Sequence, residues 1–550
     1  MKPSREVIEV NFEELQTLLE RARQGPLGEQ DYQKLEGAIH ALSYLIELIG
    51  EKDTTISRLR ALLAKPSTEK TSKVLEQAGL EGRAPKHPLP AGTSGVEGEK
   101  PKPGHGRNGA AAYRGAERIK IAHASLKPGD YCPKCWKGKV YPKKDPGLRI
   151  RVVGQAPLQA TVWELECLRC NLCGDVFEAP APEGVGEKKY DETAAAMIGL
   201  LRYGSGVPFY RLAGLEENLG IPLPASTQWE IVKETAGRIR PAFEELIRQA
   251  AQGEVFGNDD TSMKILALAR ASPHPAEAKE GSSNARERTG LFTSGIVSTR
   301  PRQRIALFFT GRRHAGENLA QVLAHRAAGL APPIQMCDAL SRNVPKLSKP
   351  LEIILGHCNA HARRRYVDVV SSFPGECRYV LESLGEVYGY DARAEELGLS
   401  PKERLRFHQE HSKPIMEKLH TWLEAQFGEK RVEPNSGLGS AITYSLKHWD
   451  RLTLFLRQAG APLDNNIVER ALKKSILHRK NSLFYKTQNG AEVGDLFMSL
   501  IHTCELNGVN PFDYLIELQK HAAQLAGDPA GWMPWTYRET LGPAATRPPE

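Results

Sequence analysis

Residues 462–490 read PLDNNIVERALKKSILHRKNSLFYKTQNG. The segment reads as a helix starting near Asn466, with Asp464 in the turn before it and Asn466 as its cap. On that helix Glu469 shares a face with Lys473, and Arg470 and Lys474 form an adjacent stripe. A solvated amphipathic helix fits this pattern, and its Glu–Lys pair would add only a few tenths of a kcal/mol, roughly. The pattern also fits a helix that holds one catalytic carboxylate, Glu469, over a nucleic-acid backbone. Arg470, Lys474, Arg479 and Lys480 would then approach phosphates. The remainder of the chain separates the two readings.

At 550 residues, with 40% apolar and 25% charged residues, the chain reads as a globular protein of three or four units. No long apolar run suggests a membrane span, and MKPSREVIEVNFEELQ has no apolar signal region, so a bacterial cytoplasmic, nucleoid-associated protein is expected. The net charge of +8 is unevenly placed. Residues 66–150 carry 17 Lys and Arg against 8 Asp and Glu, whereas residues 1–65 carry 9 against 11. A basic segment of this kind favours a polyanionic partner through phosphate contacts and counterion release.

Residues 1–65 read as a helical region with a coiled coil, because Leu35, Leu42, Ile49, Ile56 and Leu63 recur every seven positions. Residues 66–115, rich in Pro, Gly and Lys, read as a flexible basic linker. Five of nine cysteines fall between 132 and 173. CPKC (Cys132, Cys135) followed by CLRCNLC predicts a zinc ribbon over 116–182, in which four thiolates on two knuckles hold Zn2+. Cys170 and Cys173 are preferred for the second pair because Gly174 suits the turn, with Cys167 and Cys170 as the alternative. Residues 183–252 read as a helical domain. From 253 to 360 the order is strand, strand, strand, helix, strand, as in the opening of an RNase H-like core. A helical insertion over 361–460, the last part of the core over 461–525 and a poorly ordered tail over 526–550 complete the expectation.

Phosphoryl transfer on DNA is served by two divalent cations about 3.5–4 Å apart, held by carboxylates from different elements. The candidates are Asp259 or Asp260 on the first strand, Asp338 at the end of the fourth, and Glu469 on the late helix. With HGRNG, the paired CxxC, YGSGVPFYRL, NDDT, CDALSRN, GHCNAHARRRY and DNNIVERALKKSILHRKNSLF all present, the chain resembles the large catalytic subunit of DDE transposases of the insertion-sequence 66 family. The likeness runs from about residue 30 to about residue 520. It implies a catalytic triad of Asp259, Asp338 and Glu469 holding Mg2+ or Mn2+, with Asp260 as the alternative to Asp259. Where the family carries Gly and an aromatic after the second Asp, this chain has ALSRN.

The resemblance further implies DNA partners (the element's terminal inverted repeats and target DNA), a homodimer or higher oligomer, and accessory transposition proteins. A catalytically inactive zinc-ribbon DNA-binding protein and an RNase H-like nuclease are the alternatives. The CxxH pair Cys358 and His361 resembles an element seen after the second Asp in several DDE families, and reads as structural rather than ligating.

Overall fold

The computed structural model describes residues 124–141, 155–169, 176–182, 188–270, 290–347 and 351–542, with a few isolated positions elsewhere. The heptad repeat lies outside the described residues, as do Cys170, Cys173 and most of the linker. Two compact units emerge: Lys86–Ile198 with Phe209–Ile231, and the rest.

In the smaller unit, Tyr131 bridges Lys139 antiparallel, and the turn between them carries Cys132 and Cys135. Strands β1 (Cys167–Arg169) and β2 (Val176–Glu178) pair antiparallel. Helices α1 (Glu192–Gly199) and α2 (Phe209–Asn218) follow, and then α3 (Ala225–Ala250) begins. Asp191 starts α1, its Oδ1 accepting the N–H groups of Thr193 and Ala194.

The larger unit is built on a mixed sheet of β3 (Val255–Ser262), β4 (Phe292–Arg300), β5 (Gln303–Gly311), β6 (Ile334–Cys337) and β7 (Ile354–His357), with α4 (Leu266–Arg270) after β3 and α5 (Ala315–Leu323) before β6. The spatial order is β5-β4-β3-β6-β7. Strand β4 runs antiparallel to both β3 and β5, and β3, β6 and β7 run parallel. This mixed sheet flanked by helices is compatible with an RNase H-like core. The sequence reading missed β7, a four-residue strand (ILGH) directly ahead of Cys358. So short a run carries little periodic signal.

From β7 the chain turns helical: α6 (Asn359–Val369), α7 (Pro374–Glu396), α8 (Pro401–His411), α9 (Lys413–Gly428), α10 (Gly437–Lys447) and α11 (Trp449–Leu452). Their apolar faces, including Leu381, Leu384, Leu419, Leu423, Leu438 and Ile442, bury one another in a single cluster. Val74 and Leu75 are buried in the same cluster, so these two positions depart from the flexible-linker reading. Thr71, Val74 and Leu75 have helical spacing, which puts them on one face. The excursion closes where it opened. Asn359 Nδ2 donates to the carbonyls of Leu452 (2.8 Å) and Leu463 (3.0 Å), binding its two ends together.

After it come α12 (Asn466–Ser482), α13 (Gln488–Leu506), α14 (Pro511–Lys520), α15 (Ala522–Gly527) and α16 (Tyr537–Leu541). Strand β5 is an edge of the sheet, and α13 covers it with a polar ladder. Asn507 Oδ1, Thr503 Oγ1, Ser499 Oγ and Asp495 Oδ2 accept the N–H groups of Arg304, Ala306, Phe308 and Thr310 respectively. Every second strand residue advances about 6.8 Å and every fourth helix residue about 6 Å, so the two series stay in step over four rungs. An edge that would otherwise offer open N–H groups is thereby closed. The tail expectation is corrected for residues 526–542. Trp532, Met533 and Tyr537 are buried, and Tyr514 Oη donates to Trp532 O (2.8 Å). Aromatic burial here outweighs the Pro and Gly content that suggested disorder.

Candidate active site

Alternation along β3 sends Asp259 and Asp260 to opposite faces of the sheet. Asp260 is consumed by structure: its Oδ1 accepts Ser294 Oγ (2.7 Å) and its Oδ2 faces His314 Nδ1 (2.9 Å), just ahead of α5. Asp259 lies on the other face, where its cross-strand neighbour on β4 is Gly295.

That face receives α12. A Cβ at Gly295 would stand 2.9 Å from Leu472 Cγ, and one at Gly257 would stand 2.6 Å from Val468 Cγ2. Two glycines at these positions therefore let the helix backbone approach the sheet, carrying Glu469 with it. The start of α12 is fixed by Asn465, whose Nδ2 donates to Asn258 O (3.1 Å) and whose N–H points at Cys358 Sγ (3.2 Å). The cap differs from the expected one: Asn465 holds the N-cap position with no side-chain cap bond, and Asp464 Oδ1 in the preceding turn accepts the N–H of Asn466 (3.0 Å).

Asp338 immediately follows β6, next to β3 in the sheet, and a 3-10 turn at Ser341–Asn343 brings Asn343 back over it. Asn343 Nδ2 donates to Asp338 Oδ1 (2.6 Å) and to Asp259 Oδ1 (3.2 Å). Asn343 is itself pinned: its carbonyl accepts from Asn258 Nδ2 (2.7 Å) and Gln335 Nε2 (2.7 Å). Burial pushes the Asp259 carboxyl up to about 6, and the Asp338 charge adds to the rise. The Asp260 N–H, the His361 charge and the Asn343 amide pull the other way.

Glu469 stands in the first turn of α12, with Oε2 3.3 Å from Arg364 and Oε1 3.6 Å from His361 Nδ1. His361 thus faces Glu469 while its charge acts on Asp259. Asp259 and Asp338 are brought together directly through Asn343. Glu469 stands on the covering helix and is linked to this pair through His361, which faces it and whose charge acts on Asp259. The four basic candidates divide. Arg470 and Lys480 are exposed. Lys474 Nζ donates to Glu505 Oε1 (2.8 Å), and Arg479 Nη1 donates to Thr261 Oγ1 (3.1 Å) at the end of β3.

In the smaller unit Cys132 and Cys135 lie on one tight turn, with Cys132 N–H donating to Gly138 O (2.7 Å) and Trp136 N–H to Cys132 O (2.9 Å). The Cys135 thiol is held below its ordinary range, chiefly by the N–H groups of Gly138 and Lys137. Cys167 lies on β1, exposed, and strands β1 and β2 flank residues 170–175.

Sequence reasoning missed Asn343, Arg364 and the paired glycines. The only sign of Asn343 was a second polar group five residues beyond Asp338 in CDALSRN.

The sheet order, compatible with an RNase H-like core, sets the Asp259–Asp338 pair at β3 and β6, with Glu469 on the helix that covers β3. The chain belongs to the family described as Transposase IS66 family, which matches residues 188–493. Membership implies a transposase-related role with DNA as partner and a general dependence on divalent metal. Among curated proteins, the chain is 28% identical to the uncharacterized protein y4jD of Sinorhizobium fredii (strain NBRC 101917 / NGR234) over 385 residues, 68% of this chain and 72% of that one. It is 25% identical to y4hP of the same strain over 398 residues, 68% and 67% of the two chains. Among the described residues no helix is long and apolar enough to cross a membrane.

Proposed function

We propose that this chain is a DDE-type transposase that binds the ends of an insertion sequence, cleaves DNA strands there and joins them to a target. The observation that carries the reading is the shared Asn343 amide between Asp259 and Asp338, beneath a helix whose first turn holds Glu469. The donor set suits a hard cation: three carboxylates from three elements, with Asn343 Oδ1 buried and without a hydrogen-bond partner beside them. When bound, a pair of Mg2+ or Mn2+ ions supplies Lewis-acid activation of the attacking oxygen and stabilises the leaving one. Asp259, Asp338 and Glu469 would hold that pair.

Of the two neighbouring aspartates, Asp259 takes the catalytic role, because Asp260 is spent on Ser294 and His314. Asn343 keeps the two aspartates apart at a fixed distance before metal arrives. Arg364 orients Glu469. Arg470 and Lys480, both exposed, meet the DNA backbone, while Lys474 reaches a phosphate only by leaving Glu505.

The second knuckle of a zinc ribbon, Cys170 with Cys173 or with Cys167, completes a site begun by Cys132 and Cys135. The narrow turn and the N–H groups aimed at Cys135 support that role. The ribbon, the basic segment before it and the N-terminal coiled coil serve end recognition and assembly into a homodimer or higher oligomer. Accessory transposition proteins assist.

The test is strand nicking on labelled DNA carrying the sequences that flank the gene, in Mg2+ or Mn2+, with wild type and Glu469→Gln side by side. Nicking at the element boundary by wild type alone is expected. End binding without nicking by either protein would favour a binding-only descendant of a transposase. Equal nicking by both would remove Glu469 from the site. Cleavage without strand joining would favour a nuclease.

A further inference from the structure

Three ligand-type side chains meet just beside the acidic site: Cys358, His361 and Glu469 each offer an atom, and the three atoms lie within 4.8 Å of one another. Cys358 precedes α6, where the chain leaves the sheet, and His361 is one turn further on. Glu469 arrives from α12, more than a hundred residues later. The CxxH pair alone looks structural. The fold adds the third donor, which sequence spacing could not show.

The local chemistry is unsettled without a ligand. His361 Nδ1 and Glu469 Oε1 are both buried atoms lacking a hydrogen-bond partner, yet they stand 3.6 Å apart and face each other. Tetrahedral zinc bonds of about 2.0–2.3 Å require neighbouring N, O and S donors roughly 3.3–3.6 Å apart. The His–Glu separation already has that value. Cys358 Sγ receives the N–H of Asn465, as metal-bound sulfur commonly does, and it sits at the positive end of α6. About a quarter of the His361 and Glu469 side chains is exposed, although the two facing donor atoms are themselves buried.

We propose that Cys358, His361 and Glu469 form a binding site for a borderline divalent cation of the Zn2+ class, separate from any zinc in the ribbon. A thiol, an imidazole and one carboxylate oxygen select such an ion over Mg2+, which prefers an all-oxygen shell. On binding, the Cys358 S–H bond breaks, the sulfur–metal bond forms and the proton leaves to solvent. The two kinds of site then draw on one glutamate: with the borderline ion in place, Glu469 Oε1 is withheld from the acidic cluster. Metal binding stands by itself, whereas its effect on DNA cleavage rests on the transposase reading.

The test uses the full chain, stripped of metal with a chelator and titrated with Co2+ as probe. Uptake is followed by thiolate-to-cobalt charge-transfer absorbance and by equilibrium stoichiometry. With the ribbon contributing equally in all three, wild type should bind one equivalent more of thiolate-ligated Co2+ than Cys358→Ser and His361→Asn. The His361 variant guards against misfolding of the buried Cys358 one, since His361 lies partly open on a helix. Equal stoichiometry in wild type and His361→Asn overturns the site. Added Zn2+ should raise the Mg2+ concentration needed for nicking by wild type at least several-fold. Binding of the extra equivalent with an unchanged Mg2+ requirement overturns the shared use of Glu469. Absence of nicking under every condition counts against the transposase reading, and the metal stoichiometry still decides the site.

Discussion

Val468 of α12 lies against Gly257 of β3 so closely that a Cβ at position 257 would stand 2.6 Å from Val468 Cγ2. The adjoining Asn465 Oδ1 is closer still. Gly257→Ala therefore forces α12 away from the sheet or tilts it. Overpacking of this kind costs about 1–3 kcal/mol. Because Glu469 travels with the helix, nicking should fall by more than the loss of folded protein explains. Thermal unfolding and single-turnover nicking measured together check this. A variant that loses stability but keeps full activity per folded molecule would show that Glu469 does not depend on the approach.

Asn343 bridges Asp338 and Asp259, and it is the part of the cluster with no charge of its own. Asn343→Ala leaves two carboxylates facing each other without a donor between them, which pushes the Asp259 carboxyl further up. The expected outcome is a raised Mg2+ requirement and a nicking rate at least about tenfold lower, of the order expected when a positioning group is lost. A Mg2+ titration of nicking separates the two effects. Unchanged dependence on Mg2+ would place the cations elsewhere.

Much of the site's framework was legible because carboxylates on strands leave a local signature. NDDT follows strand-like EVFG, Asp338 follows PPIQMC, and Glu469 follows a turn of Asp and Asn, so Asp259 and Glu469 fall on the expected strand and helix and Asp338 one residue past its strand. The choice between Asp259 and Asp260 was not legible. Strand alternation makes the two inequivalent, but which face α12 would take depends on Gly257 and Gly295, and a glycine's silence in a pattern says nothing about what covers it. The third member of the Cys358–His361–Glu469 group was equally hidden, because its proximity is created by an excursion of over a hundred residues that Asn359 closes. Residues 526–542 misled for a compositional reason: Pro and Gly outnumbered the cues, yet two aromatics and a methionine sufficed to dock them.

Ser499 illustrates how the edge ladder can be tested. Its Oγ accepts the buried N–H of Phe308 (3.0 Å) and donates to Asp495 O (2.6 Å). Ser499→Ala leaves the Phe308 N–H unsatisfied, at a cost of about 1–3 kcal/mol. Ser383→Ala, which removes a hydroxyl bonded only to Tyr379 O within its own helix, should be near neutral. Chemical denaturation of both variants makes the comparison. Equal effects would mean that the ladder follows from packing and does not itself hold the strand.

Asp495 ends the same ladder and adds a pH dependence. Burial pushes its carboxyl up to about 7, against the pull of the Thr310 hydroxyl and N–H, both 2.6 Å away. The folded chain therefore keeps a proton there that the unfolded chain has already lost. Below the ordinary carboxylate range both states are protonated, and the group's full contribution is present. As pH rises from about 4 toward 7 the unfolded state ionises alone, and stability falls by up to roughly 1.4 kcal/mol per pH unit from this group. Above about 7 the folded state ionises too and the decline stops. In Asp495→Asn the amide oxygen still accepts the Thr310 N–H. Its NH2 donates to Thr310 Oγ1, which in turn donates to Thr293 Oγ1, 2.8 Å away. The shape and the hydrogen bonds survive while the ionisation is gone. The variant should match wild type near pH 4 and exceed it in melting temperature at pH 8, with the gap opening between those values. A gap of constant size across pH would show that Asp495 is ionised in the fold throughout, and that the Thr310 donors outweigh its burial.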